Sequence, residues 1–508
     1  DTCTQSKNTY ADAIATLNKS FNDWSVNVNL GVSLSDSRYE MIGYEGGLKL
    51  INFFAVHNID FNKAWKAKQS GWHDQTRAIF ANAEIGWKSM IYLTATGRND
   101  WDSRLAFSDY KSFFYPSIGL SAILTSMFNA PDWLTYLKVR GSYTEVGNSY
   151  GRFMTTVTYP YDEQTQSWTS TSSYPNTKLK PERTKSWEVG LDARILNDIS
   201  LNLTYYRSNT YNQTFYADLS LSSGYSNIPI QSGNIMNEGL EMSLGYNKQW
   251  KDFSFNTNYT LTWNKNRVKR LADGVYNYAT GQPIQMPELS PLTYGHTDAR
   301  LILRVGGSMG DVYGQRLLKR DLNGYILNEE GVGLAMENKE TYLGSILPKM
   351  NMGWSLGFGY KGVNLGMTFT GRFGGIVISE TQSVLDAAGV SKVSADVRDA
   401  GGVQINQSKV SAQTYYQTIQ GTAAYYTYSA TNVRLGELSL SYTLPKKWFD
   451  NKVGMTVGLV GKNLWMIYCK APFDPELTTS AASNFYQGFD AYMLPSTRNF
   501  GFNVKFQF

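Results

Sequence analysis

Apolar and polar residues alternate one for one along many stretches of this chain, and the stretches are long. In MIYLTATGR (90–98), Ile91, Leu93 and Ala95 alternate with Tyr92, Thr94, Thr96 and Arg98. LKVRGSYTE sets Leu137, Val139, Gly141 and Tyr143 against Lys138, Arg140, Ser142 and Thr144; SWEVGLDARIL sets Trp187, Val189, Leu191, Ala193 and Ile195 against Glu188, Gly190, Asp192 and Arg194. A period of two describes a strand with one apolar and one polar face. LEMSLGY, GWSLGFGY and VGMTVGLVGK repeat it. So does the closing RNFGFNVKFQF, with Phe500, Phe502, Val504, Phe506 and Phe508 on one side and Asn503, Lys505 and Gln507 on the other. Each run is roughly nine to fourteen residues, near the ~9 to 11 of a tilted transmembrane strand and above the ~5 to 6 usual in soluble sheets.

The links between runs have their own pattern. Short ones (ND at 22–23, KS at 88–89, ND at 197–198, KQWKD near 248–252, KG at 361–362) alternate with long gaps near 36–75, 148–183, 211–235, 269–349, 375–431 and 466–497. Short turns at one end and long loops at the other describe an outer-membrane barrel. No fixed repeat of the propeller kind is present. The runs number about fifteen, and bacterial single-chain barrels close on an even number. They lie near 11–21, 24–35, 76–87, 90–101, 112–124, 135–147, 184–196, 199–210, 236–248, 253–268, 350–360, 363–374, 432–444, 453–464 and 498–508. With the last strand descending to the periplasm, parity puts Asp1 on the long-loop side. The expectation is therefore an all-β transmembrane antiparallel barrel of which this chain forms the C-terminal part.

Composition alone would suggest something else. The 508 residues are 42% apolar and 18% charged, with a mean hydropathy of −0.35, values shared with large soluble proteins. No stretch reaches the ~18 to 20 consecutive apolar residues of a spanning helix. The opening DTCTQSKNTYADAI lacks a basic region followed by an apolar core, so the chain reads as a mature product, a fragment or a cytoplasmic protein. The net charge of +5 is spread without a basic cluster, which argues against nucleic-acid binding. Two cysteines, Cys3 and Cys469, are no disulfide framework in a chain of this length.

Several stretches resemble a known family. LKPERTKSWEVGLD (Leu179 to Asp192) and QSGNIMNEGLEMSL (Gln231 to Leu244) resemble barrel motifs of TonB-dependent transporters. TGRNDWDSRLAFSDYKSFFYPSIGLSAIL (Thr96 to Leu124), LKVRGSYTEVGN, ATNVRLGELSLSYTLPKKW (Ala430 to Trp448), GKNLWMIYCKAPFDPE (Gly461 to Glu476) and PSTRNFGFNVKFQF are similar, in this order, to the SusC/RagA subfamily. The resemblance covers essentially the whole chain. It implies a barrel of about 22 strands, of which the first strands, the plug domain and the TonB box have no counterpart here. It also implies energy-dependent import of oligosaccharides or oligopeptides across the outer membrane. The implied partners are a SusD-like surface lipoprotein as lid, the TonB complex acting through the plug, the N-terminal portion of the same barrel, and lipid. Phe508 resembles the terminal aromatic by which such barrels are recognised for assembly. Lys138, Arg140, Glu188, Asp192 and Arg194 are expected to face the lumen, and Phe500, Phe502, Val504, Phe506 and Phe508 the lipid.

Catalytic chemistry finds no foothold. His57, His73 and His296 are scattered and form no HExxH pair, and no GxSxG or Walker A pattern occurs. VGGSMG (305–310) lacks the Lys-Ser/Thr ending of a phosphate loop and reads as a turn. RDLNGYILNEE (320–330) faintly resembles a calcium loop through Asp321, Asn323 and Glu330, but its spacing favours a type I turn relaxed by Gly324. No metal or cofactor is expected. Ligand contacts should come from long-loop residues whose rings stack and whose carboxylates accept hydrogen bonds: Trp168, Tyr425, Tyr426, Asp474 and Tyr486. The same residues suit an interfacial girdle or lid contacts, and Asp474 with Pro475 suits a loop-shaping turn. Two rival readings stay open: a passive porin of 16 strands, and a secreted soluble all-β binding protein.

Overall fold

A computed structural model describes residues 2–63, 65–162, 167–271, 275–276, 281–284, 288–329, 333–450, 452–477, 479 and 484–508. Fifteen strands form one antiparallel sheet in which every strand pairs with its neighbour in sequence. They are β1 (Thr2–Phe21), β2 (Trp24–Gly46), β3 (Trp65–Trp87), β4 (Ile91–Asp102), β5 (Phe113–Ile123), β6 (Leu134–Asn148), β7 (Glu182–Ile195) and β8 (Ile199–Asp218). β9 (Asn227–Trp250), β10 (Phe253–Arg270), β11 (Met350–Tyr360), β12 (Val363–Phe373), β13 (Asn432–Leu444), β14 (Gly454–Cys469) and β15 (Asn499–Gln507) complete it. Such a meander sets all the short turns on one edge. They are tight: Phe21 pairs directly with Trp24 around Asn22 at φ 49°, and Tyr360 with Val363 around Lys361 at φ 46° and Gly362 at φ 88°. Two-residue hairpins need this left-handed backbone to match the twist of the strands, and Asn and Gly adopt it at least cost.

Register carries the two faces across the sheet without a break. One row reads Phe255, Phe358, Leu365, Leu440, Leu459, Phe502; the row beside it reads Ser254, Gly359, Asn364, Ser441, Gly458, Asn503. A slip of one residue anywhere would exchange the faces, so the alternation in each strand locks its neighbours.

Three hairpins outrun their sequence signal: β1, expected near 11–21, pairs with β2 from Phe21 with Trp24 up to Thr2 with Gly43. β2 and β3 stay paired from Asp36 with Gln75 up to Gly46 with Trp65, and β8 and β9 as far as Asp218 with Asn227. The gaps expected at 36–75 and 211–235 shrink to 47–64 and 219–226. Above the apolar band polar and apolar residues mix on both faces, as in Ser37, Arg38, Tyr39, Glu40, Met41 and Ile42, so hydrophobic periodicity vanishes while backbone pairing continues.

The hydrophobic core lies mostly in the long connections, with smaller clusters at the loop-side ends of wall strands, such as Ala217, Ile228 and Ile230 of β8 and β9 and Val268 of β10. Residues 271–349, 374–431 and 470–498 include a four-stranded sheet (Glu288–Thr293, Arg300–Arg304, Asp311–Leu318, Met336–Ser345) and a three-stranded one (Ile376–Ser379, Thr427–Ser429, Phe489–Asp490). Helices Glu380–Ala387, Lys392–Asp399 and Ala412–Ile419 are each capped by a serine, Ser379, Ser391 and Ser411, whose hydroxyl accepts from the backbone N–H three residues on. Tyr294, Leu301, Val312, Ile346, Ile378 and Phe489 form one core; Leu318, Ile405, Tyr416, Ile419 and Tyr426 form a second.

Candidate functional site

The polar face of the wall holds the expected charges together. β6 and β7 pair Lys138 with Asp192, Ser142 with Glu188 and Tyr136 with Arg194, so all five residues share that face. Arg140 Nη1 donates to Asp192 Oδ2 at 2.9 Å and Nη2 to Thr204 Oγ1 at 2.6 Å on β8. Asn202 donates to the same carboxylate. Lys138, Arg140 and Glu188 border a small pocket of about 170 Å³ with Tyr92 and Ser121. The opposite face carries Phe500, Phe502, Val504 and Phe506 beside Gly461, Leu459, Val457 and Met455. Phe508 lies just past the end of β15.

The five ligand candidates separate. Trp168 is 71% exposed; its ring meets Tyr161 edge to face at 5.1 Å, and residues 163–166 between them lie outside the described residues. Tyr425 and Tyr426 belong to the second loop core. Tyr425 Oη accepts from Leu318 N at 3.1 Å, and burial pushes the Tyr426 phenol well above its usual range. Tyr486 packs on the first core, edge-on to Tyr294 at 6.1 Å. Asp474 is clamped by Arg434 of β13, which donates from Nη1 at 3.0 Å and Nη2 at 2.8 Å. Burial alone would raise the Asp474 carboxyl, but the Arg434 hydrogen bonds and the Glu476 N–H outweigh it and hold the group below the usual range. Tyr426 and Asp474 are thus taken up by packing and pairing inside the loop layer rather than presented at a surface.

One cluster escaped sequence reasoning. Tyr39 and Trp72, on the polar-side rows of β2 and β3, stack at 5.7 Å with 10° between rings. The Arg152 guanidinium lies 3.6 Å from the Trp72 ring centroid, held by Asp74 through Nε at 2.7 Å and Nη2 at 2.6 Å. Tyr39, Trp72, Ser70 and Tyr161 border an open cleft of about 1140 Å³ that wraps the top of the β1–β3 sheet, with Gln5, Arg38 and His73 of the opposite face also on its rim, and Tyr161 links it to Trp168. Stacked rings beside a fixed Arg–Asp pair suit a ligand with flat or ring-shaped units and polar edges. Bulky aromatics at polar-face positions were the available signal; Arg152, nearly eighty residues away, was not readable.

The remaining motifs are structural. Asp321 Oδ1 accepts from Asn323 N and Tyr325 N at 2.9 and 2.8 Å, with Gly324 at φ 85°, a closed turn; Glu330 lies outside the described residues. In 305–310, Ser308 Oγ donates to Asp311 at 2.7 Å and closes another turn. His73 Nε2 pairs with Asp36 at 2.7 Å. Among the described residues no group of three or more His, Cys, Asp or Glu could hold a metal, and no helix is long and apolar enough to cross a membrane.

Residues 4–464 match the family described as TonB dependent receptor-like, beta-barrel. TonB-dependent receptor P3 of Formosa agariphila is 24% identical over 98% of this chain and 52% of its own length. TonB-dependent receptor SusC of Bacteroides thetaiotaomicron is 25% identical over 47% of this chain and 22% of its own. The RagAB peptide importer in its closed-closed state superposes with a TM-score of 0.76 at 18% identity, over 99% of this chain and 56% of that one. The chain spans about half the length of the curated relatives that it matches along its whole extent. It belongs to the TonB-dependent receptor-like β-barrel family, in which its likeness is to the SusC/RagA type.

Proposed function

We propose that this chain is the larger part of the wall, and most of the long-loop layer, of an outer-membrane TonB-dependent importer of oligosaccharides or oligopeptides. The observation that carries the reading is the unbroken two-faced meander. Its apolar face, left uncovered with Phe502 81% exposed, suits lipid and its polar face a wet or plugged lumen, whereas a soluble sandwich would bury such a face against a second sheet. Among the described residues β1 and β15 each pair on one side only, and ~7 further strands would bring the wall to the 22 of the wide, plugged transporters. A plug contacting Lys138, Arg140, Glu188, Asp192 and Arg194, TonB beneath it and a SusD-like lipoprotein above complete the proposed assembly. The Tyr39–Trp72 stack with Trp168 is the proposed ligand contact of this segment.

The experiment is substrate uptake by cells producing the full-length gene product, with and without TonB, together with alkaline extraction of membranes. Uptake lost without TonB, from a protein that only detergent releases, supports the reading. TonB-independent leakage would favour the passive porin, and release by alkali alone the soluble binding protein.

A further inference from the structure

The stacked rings of β2 and β3 have a counterpart in the loop layer. In the four-stranded sheet, Tyr313 and Tyr342 stand opposite each other on neighbouring strands, with ring centroids 5.3 Å apart at 54°. The Arg304 guanidinium lies 4.5 Å from the Tyr313 ring centroid. Carboxylates hold it there: Nε donates to Glu288 Oε2 at 2.8 Å, and Nη2 reaches Glu288 Oε2 and Glu340 Oε1 at 2.6 Å each. Tyr39, Trp72, Arg152 and Asp74 have the same construction: a cross-strand ring pair, a guanidinium on one ring, and an acid that fixes the guanidinium. A single cross-strand ring pair is ordinary sheet packing. Packing alone gives no reason for the whole pattern to recur on two separate sheets.

Tyr342 is fixed but uncovered. Tyr294 and Tyr426 bury their rings in the loop cores, whereas Tyr342 remains 56% exposed. Its hydroxyl donates to Asp311 Oδ1 at 3.3 Å, and Asp311 is itself buried and tied to Ser308. The ring therefore stands open to solvent on a strand, in a position set by its own anchor. The charge beside it is already matched. Arg304 takes only Oε2 of Glu288 and Oε1 of Glu340, both part-exposed, so each glutamate keeps a second oxygen as an acceptor among the described residues. An open ring face beside hydrogen-bond acceptors fits a ring that carries hydroxyl donors on its edge and no negative charge.

We infer that Tyr313 and Tyr342 form a second ligand platform, and that the oligomer it takes is a neutral oligosaccharide, one sugar ring lying on Tyr342 while its hydroxyls donate to Glu288 and Glu340. The inference rests on the importer reading and narrows its ligand. Acidic or sulfated sugars would meet two glutamates there against one guanidinium, a repulsion that selects against them. An oligopeptide offers few flat rings, and its carboxyl end meets the same two glutamates. A chain of sugar rings presents the same chemistry to both platforms.

The test is binding by the full-length transporter, purified in mild detergent, to immobilised linear neutral oligosaccharides, to uronate and sulfated oligosaccharides, and to oligopeptides of similar mass. The wild type should retain neutral oligosaccharides. Tyr342→Ala should weaken that binding about fivefold, as expected for one lost ring contact, with the loop layer as protease-resistant as before. Tyr342→Phe, which keeps the ring, should keep most of the affinity. Selective capture of peptides or charged sugars, capture of none of the probes, unchanged binding by Tyr342→Ala, or a co-purifying protein lost from Tyr342→Ala would each overturn the inference. None of these outcomes touches the dependence of uptake on TonB, which tests the importer reading by itself.

Discussion

The wall and the loop layer are built on opposite plans. The wall has almost no interior of its own: Phe502 is 81% exposed and Leu440 49% exposed on its apolar face, and its order comes from backbone pairing in register. The loop layer is built of short strands and three eight-residue helices, and it contains most of the fully buried large side chains, including Tyr294, Leu301, Leu303, Ile346, Ile378 and Phe489. On the proposed membrane reading the wall is apolar where its solvent is apolar, whereas the loop layer would face water and must bury its apolar surface in the ordinary way. A truncation should therefore leave a cavity in one and none in the other.

Phe489→Ala sets the upper end of that contrast. Its ring packs 5.1 Å from Tyr294 inside the first loop core, and its loss should cost the loop layer about 3–5 kcal/mol. Protease nicks should appear within 374–431 while the wall keeps its heat-resistant mobility on gels. Arg434→Ala should cost about 3 kcal/mol by leaving the buried Asp474 without its partner, read out by the same proteolysis. A loop layer no weaker in either variant would mean that the wall alone sets its order.

On the wall, the decisive pair is Leu440→Ala against Leu440→Arg. Lipid fills the space left by the first, which should cost under about 1 kcal/mol, whereas the second should cost about 2–4 kcal/mol near the middle of the band, measured by folding into bilayers. Equal effects would show this face to be wet. Trp72→Ala should weaken substrate binding about fivefold, through roughly 1 kcal/mol lost as the Tyr39–Trp72 platform comes apart, with the amount of inserted protein unchanged.

Two smaller effects close the series. The folded-state pKa of Asp474 is lowered, so its contribution is fully present above the ordinary carboxylate range near ~4 and is lost as pH falls through the lower folded value. Loop-layer protease resistance should be flat from pH 7 to pH 5 and decline below ~4, and the decline should shrink in Asp474→Asn. Phe508→Ala should lower the amount of folded barrel in the membrane with transport per inserted molecule unchanged.

The wall was legible because its signal is local. Each strand announces its faces by period two, and Asn22 or the Lys361-Gly362 pair announces a tight turn, so the expected runs and the observed strands agree to within a few residues over most of the sheet. The upper parts of β1, β2 and β3 were hidden, because polar and apolar residues mix there on both faces and leave no hydrophobic period. The candidate site was legible only in part. Trp168 is an exposed loop aromatic as expected, whereas Tyr426 and Asp474 sit inside the loop layer, and composition cannot tell a loop tyrosine that packs from one that binds.

Alternation alone determined that this chain makes long strands with one apolar and one polar face, because side-chain direction along a strand depends on nothing beyond the next residue. Tertiary structure decided which loop residues meet. Ile378 lies beside Phe489 in a parallel pair, Arg434 clamps Asp474, and Arg152 covers Trp72. Those contacts join segments far apart in sequence, which the meander holds together by setting the ends of its strands side by side.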